Sequence, residues 1–415
     1  MVLNRAVSFG GGPFVRGQSE TPNASHYVRS RPPLLLATLL CPGLQARGEV
    51  IPQDYDYSYQ LYQEDDDRIR VESHYIRGQI EINDATSFRF QWLKDSISGA
   101  SPTGVLPGES QPFLSDVEDV RTGILGALSR QFGDHRVELE ISRSTEDDYV
   151  SNGFALSDKL ELNQKNTTVS YGVNYLDDTV SVPLLPDSRK ETYDLFAGVT
   201  QIVDKDTVIT ANLTVGYANG YLNDPYKVVQ RNEVVQVPDG IGGFIDLPVT
   251  NIYRENRPDS RLREVLQFEG KHYFEPVKGA LDAVLRFAHD DYGITSETLQ
   301  LEWRQEIGEN FQVIPFFRYY HQNAADFFMT TINDLALGTP SGAPNGAGPN
   351  YSADYRLSSM DAISLGLRLR YQFTENFSAN ACYERYSMSG AGSDSSPAQA
   401  YPDADIWTFG VSAQF

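Results

Sequence analysis

Cysteine is almost missing from this 415-residue chain, with only Cys41 and Cys382, and methionine (4) and tryptophan (3) are nearly as scarce. Long hydrophobic runs are missing too: no stretch reaches the ~18 apolar residues that a membrane-spanning helix needs. An apolar content of 40% is likewise too low for a bundle of such helices. Basic charge is short, 34 Lys and Arg against 56 Asp and Glu, which leaves −22 and a pI near 4.6. Nucleic-acid binders carry a basic patch or stripe, so no nucleic-acid partner is expected. No zinc signature, phosphate loop or dinucleotide fingerprint occurs, and no cofactor is expected.

The longest apolar stretch is PPLLLATLLCPGLQARG, residues 32–48, preceded by Arg29 and Arg31. Prolines bracket it too tightly for a core helix, and Ala46 closes a small-residue cleavage pattern. It reads as an export signal over residues 1–46, removed to leave a mature chain 47–415. The segment before it is long for a bacterial signal, as a misassigned start codon would explain. Removal takes the charge to −25, since residues 1–46 hold four arginines and one glutamate. Leu40 before Cys41 rules out lipidation, so Cys382 is the only mature cysteine and no intrachain disulfide forms.

Tyrosine (24) and phenylalanine (21), by contrast, are abundant, and they fall into a period of two. In ISLGLRLRYQF, residues 363–373, Ile363, Leu365, Leu367, Leu369, Tyr371 and Phe373 share one face. Ser364, Gly366, Arg368, Arg370 and Gln372 share the other. The same alternation runs through 208–217, 169–175, 88–92, 299–303 and 405–415. These are strands with one apolar and one polar face. A soluble sandwich alternates as well. Three further features point elsewhere.

Tight turns at 82–84, 132–134, 163–166, 203–206, 274–278, 307–310 and 373–376 alternate with longer links. Those links are 96–117, 147–153, 177–189, 220–259, 290–294, 322–356 and 389–404. Aromatics (Phe132, Tyr273, Phe274, Phe311, Phe373, Phe377) flank the short turns. The strands are also long enough to cross a bilayer at a tilt, about 9–11 residues. Together these features predict an all-β fold, a transmembrane antiparallel up-and-down β-barrel. Sixteen strands are expected: 55–64, 67–82, 86–96, 118–131, 135–146, 154–163, 167–176, 190–202, 207–219, 260–273, 279–290, 295–307, 311–321, 357–373, 377–388 and 405–415. Alternation is weakest in 55–64 and 154–163, so fourteen or eighteen also fit. The apolar face switches between Tyr75 and Ile76, which predicts a bulge there.

Two stretches carry a resemblance. YSYQLYQEDDDRIRV (57–71) is followed by WLKDSISGASP (92–102), with Asp95, Ser98, Gly99, Ala100, Ser101 and Pro102 read as a loop motif. The pair is similar to a bacterial family of exported proteins of unknown function, over most of residues 54–415. The resemblance implies an outer-membrane barrel and no reaction. A terminal Phe415 at the end of alternating apolar positions also resembles the signal by which outer-membrane proteins are recognised for insertion. The partners this implies are outer-membrane lipid, lipopolysaccharide and the barrel-assembly machinery.

Function is less legible. Arg136, Glu138, Glu140, Arg263, Glu269, Glu302, Arg304, Arg368 and Arg370 are expected to line the lumen, as a selectivity filter or as an internal ion-paired filling. Loop 220–259 is the plug candidate because of its length, and 322–356 is the other long outer loop. Acidic runs at 65–67, 146–148, 177–178 and 290–291 fall at the outer rim, as solvated loops or as Ca²⁺ ligands. His289, Asp290, Asp291, His321 and Asp326 allow rim hydrolysis, and Ser296 near His289 a weaker Ser–His pair. The leading reading is a pore or transport channel for small solutes. A non-conducting scaffold for a periplasmic or surface partner, and a rim hydrolase, are the alternatives.

Overall fold

The structure is a computed structural model and describes residues 51–105, 112–181, 186–333, 335, 346 and 348–415. The expected export signal lies outside these residues. Among them are eighteen strands, of which sixteen close into one antiparallel barrel. β1 (Gln53–Glu64), β2 (Ile69–Asn83), β3 (Thr86–Val105), β4 (Pro112–Phe132), β5 (His135–Thr145), β6 (Tyr149–Leu162), β7 (Thr167–Val180), β8 (Ser188–Ile202) and β9 (Thr207–Gly220) follow one another around the wall. β12 (Ser260–Phe274), β13 (Gly279–Asp290), β14 (Thr295–Ile307), β15 (Phe311–Gln322), β16 (Met360–Gln372), β17 (Phe377–Gly390) and β18 (Asp403–Gln414) complete it. Each of the sixteen expected segments is a barrel strand, including the two weakest.

Closure comes from β1 against β18, with Tyr57 opposite Val411 and Gln53 exchanging backbone bonds with Phe415 at 2.9 Å each way. No wall strand keeps a free edge, which is what a spanning sheet requires where no water is at hand. Alternation sets the facing. Ile141 (61%), Leu195 (61%) and Leu365 (58%) are exposed on the outer wall, where a soluble sandwich would have buried one such face. Tyr273 departs from the expected girdle, because its pairing with Ala280 puts it on the inward face.

No bulge lies between Tyr75 and Ile76. β2 pairs in unbroken register from Ile69 to Glu81, and its one irregularity falls between Glu81 and Asn83. The apolar switch has another cause: the solvent changes. Low on the wall, Ile76 points outward, paired with the lipid-facing Tyr57. Higher up, Ile69 and Val71 point inward into a packed cluster with Tyr62, Ile97, Ala404 and Ile406. The wall runs past the apolar band, and there the inside is the dry side.

That extension also corrects the loop motif. Residues 95–102 are part of β3, paired from Asp95↔Arg121 to Pro102↔Leu114. Most of the expected 96–117 link is strand, which the alternation hid because small polar residues face out above the lipid. The long link 220–259 is itself structured. It contains a two-stranded sheet, β10 (Val228–Pro238) and β11 (Phe244–Arg254), that pairs with no wall strand. Val234 (66%), Ile241 (92%) and Phe244 (67%) are exposed toward its tip, while Val229 at its base is buried.

Candidate functional site

The lumen is a mixed-charge surface, largely cross-linked by its own ion pairs. Arg89 on β3 reaches across β4 to Glu138 at 2.8 Å and Glu140 at 2.9 Å on β5. Glu302 holds Arg304 at 3.0 Å and Arg368 at 3.5 Å, and the Arg368 guanidinium lies 5.8 Å from the Phe316 ring. Lys271 pairs with Glu269 at 2.6 Å and Asp282 at 3.3 Å. Arg136 bonds hydroxyls instead, Ser87 at 2.8 Å and Ser129 at 3.2 Å, and Arg370 reaches Ser378 at 3.4 Å. Arg263 shares the inward face of β12 with Glu269 and forms no ion pair with a described residue. All the expected inward charges therefore face in. The reading omitted Arg89, Lys271, Asp282 and Arg286, although the same period of two marks them.

Above the lumen the two long outer loops meet. Residues 221–259 and 323–359 are joined by paired backbone bonds between Asn256 and Tyr351, 2.9 Å each way, and by Ile332 donating to the Gln230 carbonyl at 3.0 Å. Between them lie three carboxylates, Asp224, Glu255 and Asp354, and three cations, Lys227, Arg257 and Arg356. Glu255 (0%), Asp354 (1%) and Lys227 (1%) are out of solvent. Arg257 bonds Glu255 at 2.6 Å and Asp354 at 2.7 Å; Arg356 bonds Asp354 at 2.7 Å and also Asp224. The Ser352 hydroxyl and the Asp224 amide donate to the Glu255 oxygens at 2.5 Å each. Buried charges of equal number and opposite sign satisfy one another; removing one member would strand its partners. Val229, Ile332, Tyr351 and Ala353 pack beside them.

Burial pushes the Glu255 carboxyl up to about 7 despite Arg257 beside it. Burial also acts on Asp354, but Arg356, Lys227 and Arg257 outweigh it and hold that carboxyl well below the usual range. Lys227 is pushed down by its own burial. These residues sit in links without alternation, so no sequence period could have found them.

The cap is tied to the far wall. Lys227 donates to the Pro102 carbonyl on β3, which lies six places round the ring from β9, where its loop begins. Tyr226 donates to Asp148 at 2.8 Å, between β5 and β6. The family-like stretch thus acts as a dock. Gly99 takes φ +124°, and a Cβ there would lie 1.6 Å from the Arg68 carbonyl oxygen. Only glycine fits such a place. Ala100 donates to that same carbonyl at 2.8 Å, Ser101 is buried, and Ser98 faces out opposite Arg70. Asp95 is fully buried, 3.7 Å from Arg121.

The acidic runs all lie at this rim, and most are consumed by neighbours: Asp65 by Arg385 (2.6 Å), Asp177 by Arg189 (2.7 Å), Asp178 by Lys190 (3.0 Å) and Asp290 by Arg261. In the run 146–148, Asp147 is exposed and Asp119 takes its place. Carboxylate oxygens of Asp119, Glu146 and Asp148 lie within 4.8 Å of one another, a spacing that suits oxygen ligation of a divalent ion. The rim-hydrolysis residues do not converge. His289 faces outward to Thr295 at 3.3 Å, while Ser296 is buried with Ala288 on the opposite face. His321 pairs with Asp361 at 2.9 Å, and Asp326 packs against Gly293.

A family model described as a protein of unknown function (DUF3570) matches residues 34–114, 105–186 and 184–401. No curated protein matches the chain. Among solved structures, the siderophore receptor PirA of Pseudomonas aeruginosa is similar at 13% identity and a TM-score of 0.41, over 88% of this chain and 62% of that one. The outer membrane protein OmpT of Vibrio cholerae is similar at 9% identity and 0.42, over 90% and 99%. A bacterial polysaccharide outer membrane secretin is similar at 8% identity and 0.46, over 88% and 98%. This chain spans under two thirds of the receptor's length. Likenesses of this size carry nothing about ligand or transport.

Proposed function

The chain belongs to that family, DUF3570, and we propose that it works as a pore of the bacterial outer membrane for small water-soluble solutes, controlled at its outer mouth by the loop cap. One observation carries this reading: inward-facing Arg136, Arg286, Arg304 and Arg370 are solvent-exposed, as a water-filled lumen requires. A sixteen-strand wall is wide enough to leave an aqueous channel. On this reading residues 1–46 are the export signal, and lipid with lipopolysaccharide surrounds the wall. The assembly machinery takes up the chain by its last strand.

The test is planar-bilayer conductance of the refolded mature chain beside cap-release variants. Lys227→Met removes the tie to Pro102, and Arg257→Ala strands Glu255 and Asp354. Wild type should conduct in brief openings, and the variants should stay open longer. Silence in all three, with heat-modifiable mobility intact, refutes the pore.

The exposed hairpin β10–β11 favours a second reading, a surface scaffold. It predicts a silent barrel whose outer-surface partner is lost when residues 231–252 are deleted.

A further inference from the structure

Arg286 differs from the paired arginines of the lumen. Its Nε and Nη2 both donate to Gln267 Oε1, at 3.0 and 2.8 Å, and it forms no ion pair with a described residue. Gln267 is neutral, so it orients the guanidinium and leaves its charge intact. Arginine has five N–H donors in a fixed fork, and Gln267 engages two of them. The rest face a lumen in which Arg286 is exposed.

The nearest inward neighbours are neutral or already paired. Gln267 and Thr298 stand directly across on β12 and β14, Val265, Val284, Ala288, Ser296 and Gln300 are adjacent, and Glu269, also adjacent, holds Lys271 at 2.6 Å. Arg136 and Arg370 sit near the short-turn rim and bond only serine hydroxyls. Asp54, Asp56 and Glu81 also face in near that rim, so the unneutralised charge of Arg286 acts locally, on solutes that come into contact with it.

We infer that Arg286 is a contact site for the oxyanion group, carboxylate or phosphate, of a small solute inside the barrel; this rests on the pore reading. Its fork geometry suits two oxygens of one such group at once, as a lysine would not. Gln267 is its positioning residue.

Two measurements on the full mature chain test this. In bilayers, a KCl gradient should give a reversal potential favouring chloride, and inorganic phosphate or acetate should reduce the chloride current. Calorimetry should show binding of phosphate or acetate to the detergent-folded barrel, and the tighter of the two identifies the oxyanion class. Arg286→Gln should shift the reversal potential toward potassium and weaken both block and binding by about tenfold. Arg286→Lys should keep the chloride preference and weaken the block. Heat-modifiable mobility checks that each variant folds. Conductance with unchanged selectivity in Arg286→Gln, and no oxyanion binding by wild type, overturns the inference and leaves the pore standing. Arg286-dependent binding in a barrel that never conducts overturns the pore and leaves the site.

Discussion

The ring of Phe415 stands edge-on to that of Phe377, centroids 5.7 Å apart and planes at 82°. Both rings lie on the lipid-facing wall at the short-turn rim, where the last strand closes on the first. An edge-to-face pair contributes about 0.5–1.5 kcal/mol beyond area burial. Phe415→Asp loses it and sets a charge at the membrane interface. The amount of heat-modifiable barrel recovered from membranes should fall several-fold, while Phe415→Tyr stays near wild type. Normal recovery of the Asp variant would separate Phe415 from assembly.

Leu367 and Arg368 test the facing of the whole wall. Leu367 is exposed on the outer face and pairs with Tyr383; Arg368 faces in, opposite Cys382. Leu367→Arg should lower stability by about 2–4 kcal/mol, the penalty for a cation near the bilayer midplane. Arg368→Leu should cost less, because it removes one of two cations on Glu302. With Cys382→Ser as background, a cysteine at 368 should react with a small water-soluble thiol reagent. A cysteine at 367 should resist it, and a probe there should be quenched by brominated lipid. Equal reactivity at both positions contradicts the barrel facing.

Gly99→Ala should destabilise the outer wall. Its positive φ alone costs about 1–3 kcal/mol for a residue with a side chain. The added Cβ also meets the Arg68 carbonyl. Gly123→Ala is the control, since a Cβ there finds its nearest neighbour, Leu93 Cβ, at 3.7 Å. It should stay within about 0.5 kcal/mol of wild type in urea unfolding. Equal midpoints for the two variants would refute the close approach of Gly99 to the Arg68 carbonyl.

Glu255 gives the cap a pH response. Its carboxyl rises from 4.5 to about 7 in the folded cap, so the cap binds a proton that the open loops release. A raised acid pKa leaves the cap unpenalised in acid, and stability falls as pH climbs toward and through about 7. Asp354, held low, acts in the opposite sense only below the ordinary carboxylate range. Lys227, pushed down by its burial, acts in the opposite sense on the alkaline side, so the direction set by Glu255 is read between about pH 5 and 7. Hydrogen-exchange protection at Val229 and Tyr351, corrected for intrinsic rate, should be at least threefold greater near pH 5 than near pH 7, or about 0.6 kcal/mol. Glu255→Gln should flatten the difference. Protection rising with pH in wild type would overturn this.

Where lipid touches the wall, the sequence alone determined the structure. Ile363 to Phe373 alternate because one face meets hydrocarbon and the other water, and a one-residue slip would exchange them. Strand number, closure and the inward charges Glu138, Glu302 and Arg368 followed from that rule and from the alternation of short and long links. Above the bilayer the rule lapses. Water lies outside and packed side chains inside, so the switch at Tyr75–Ile76 imitated a bulge and Asp95–Pro102 imitated a loop. Only the tertiary structure decided which charges meet, since Arg89 and Glu138 lie two strands apart and Lys227 and Pro102 on far sides of the ring. The cap is the extreme case: Asp224 and Glu255 come from one link and Asp354 from another, at positions that follow no period. Their burial is tolerable only because Lys227, Arg257 and Arg356 arrive at the same place, and short-range pattern holds no record of that meeting.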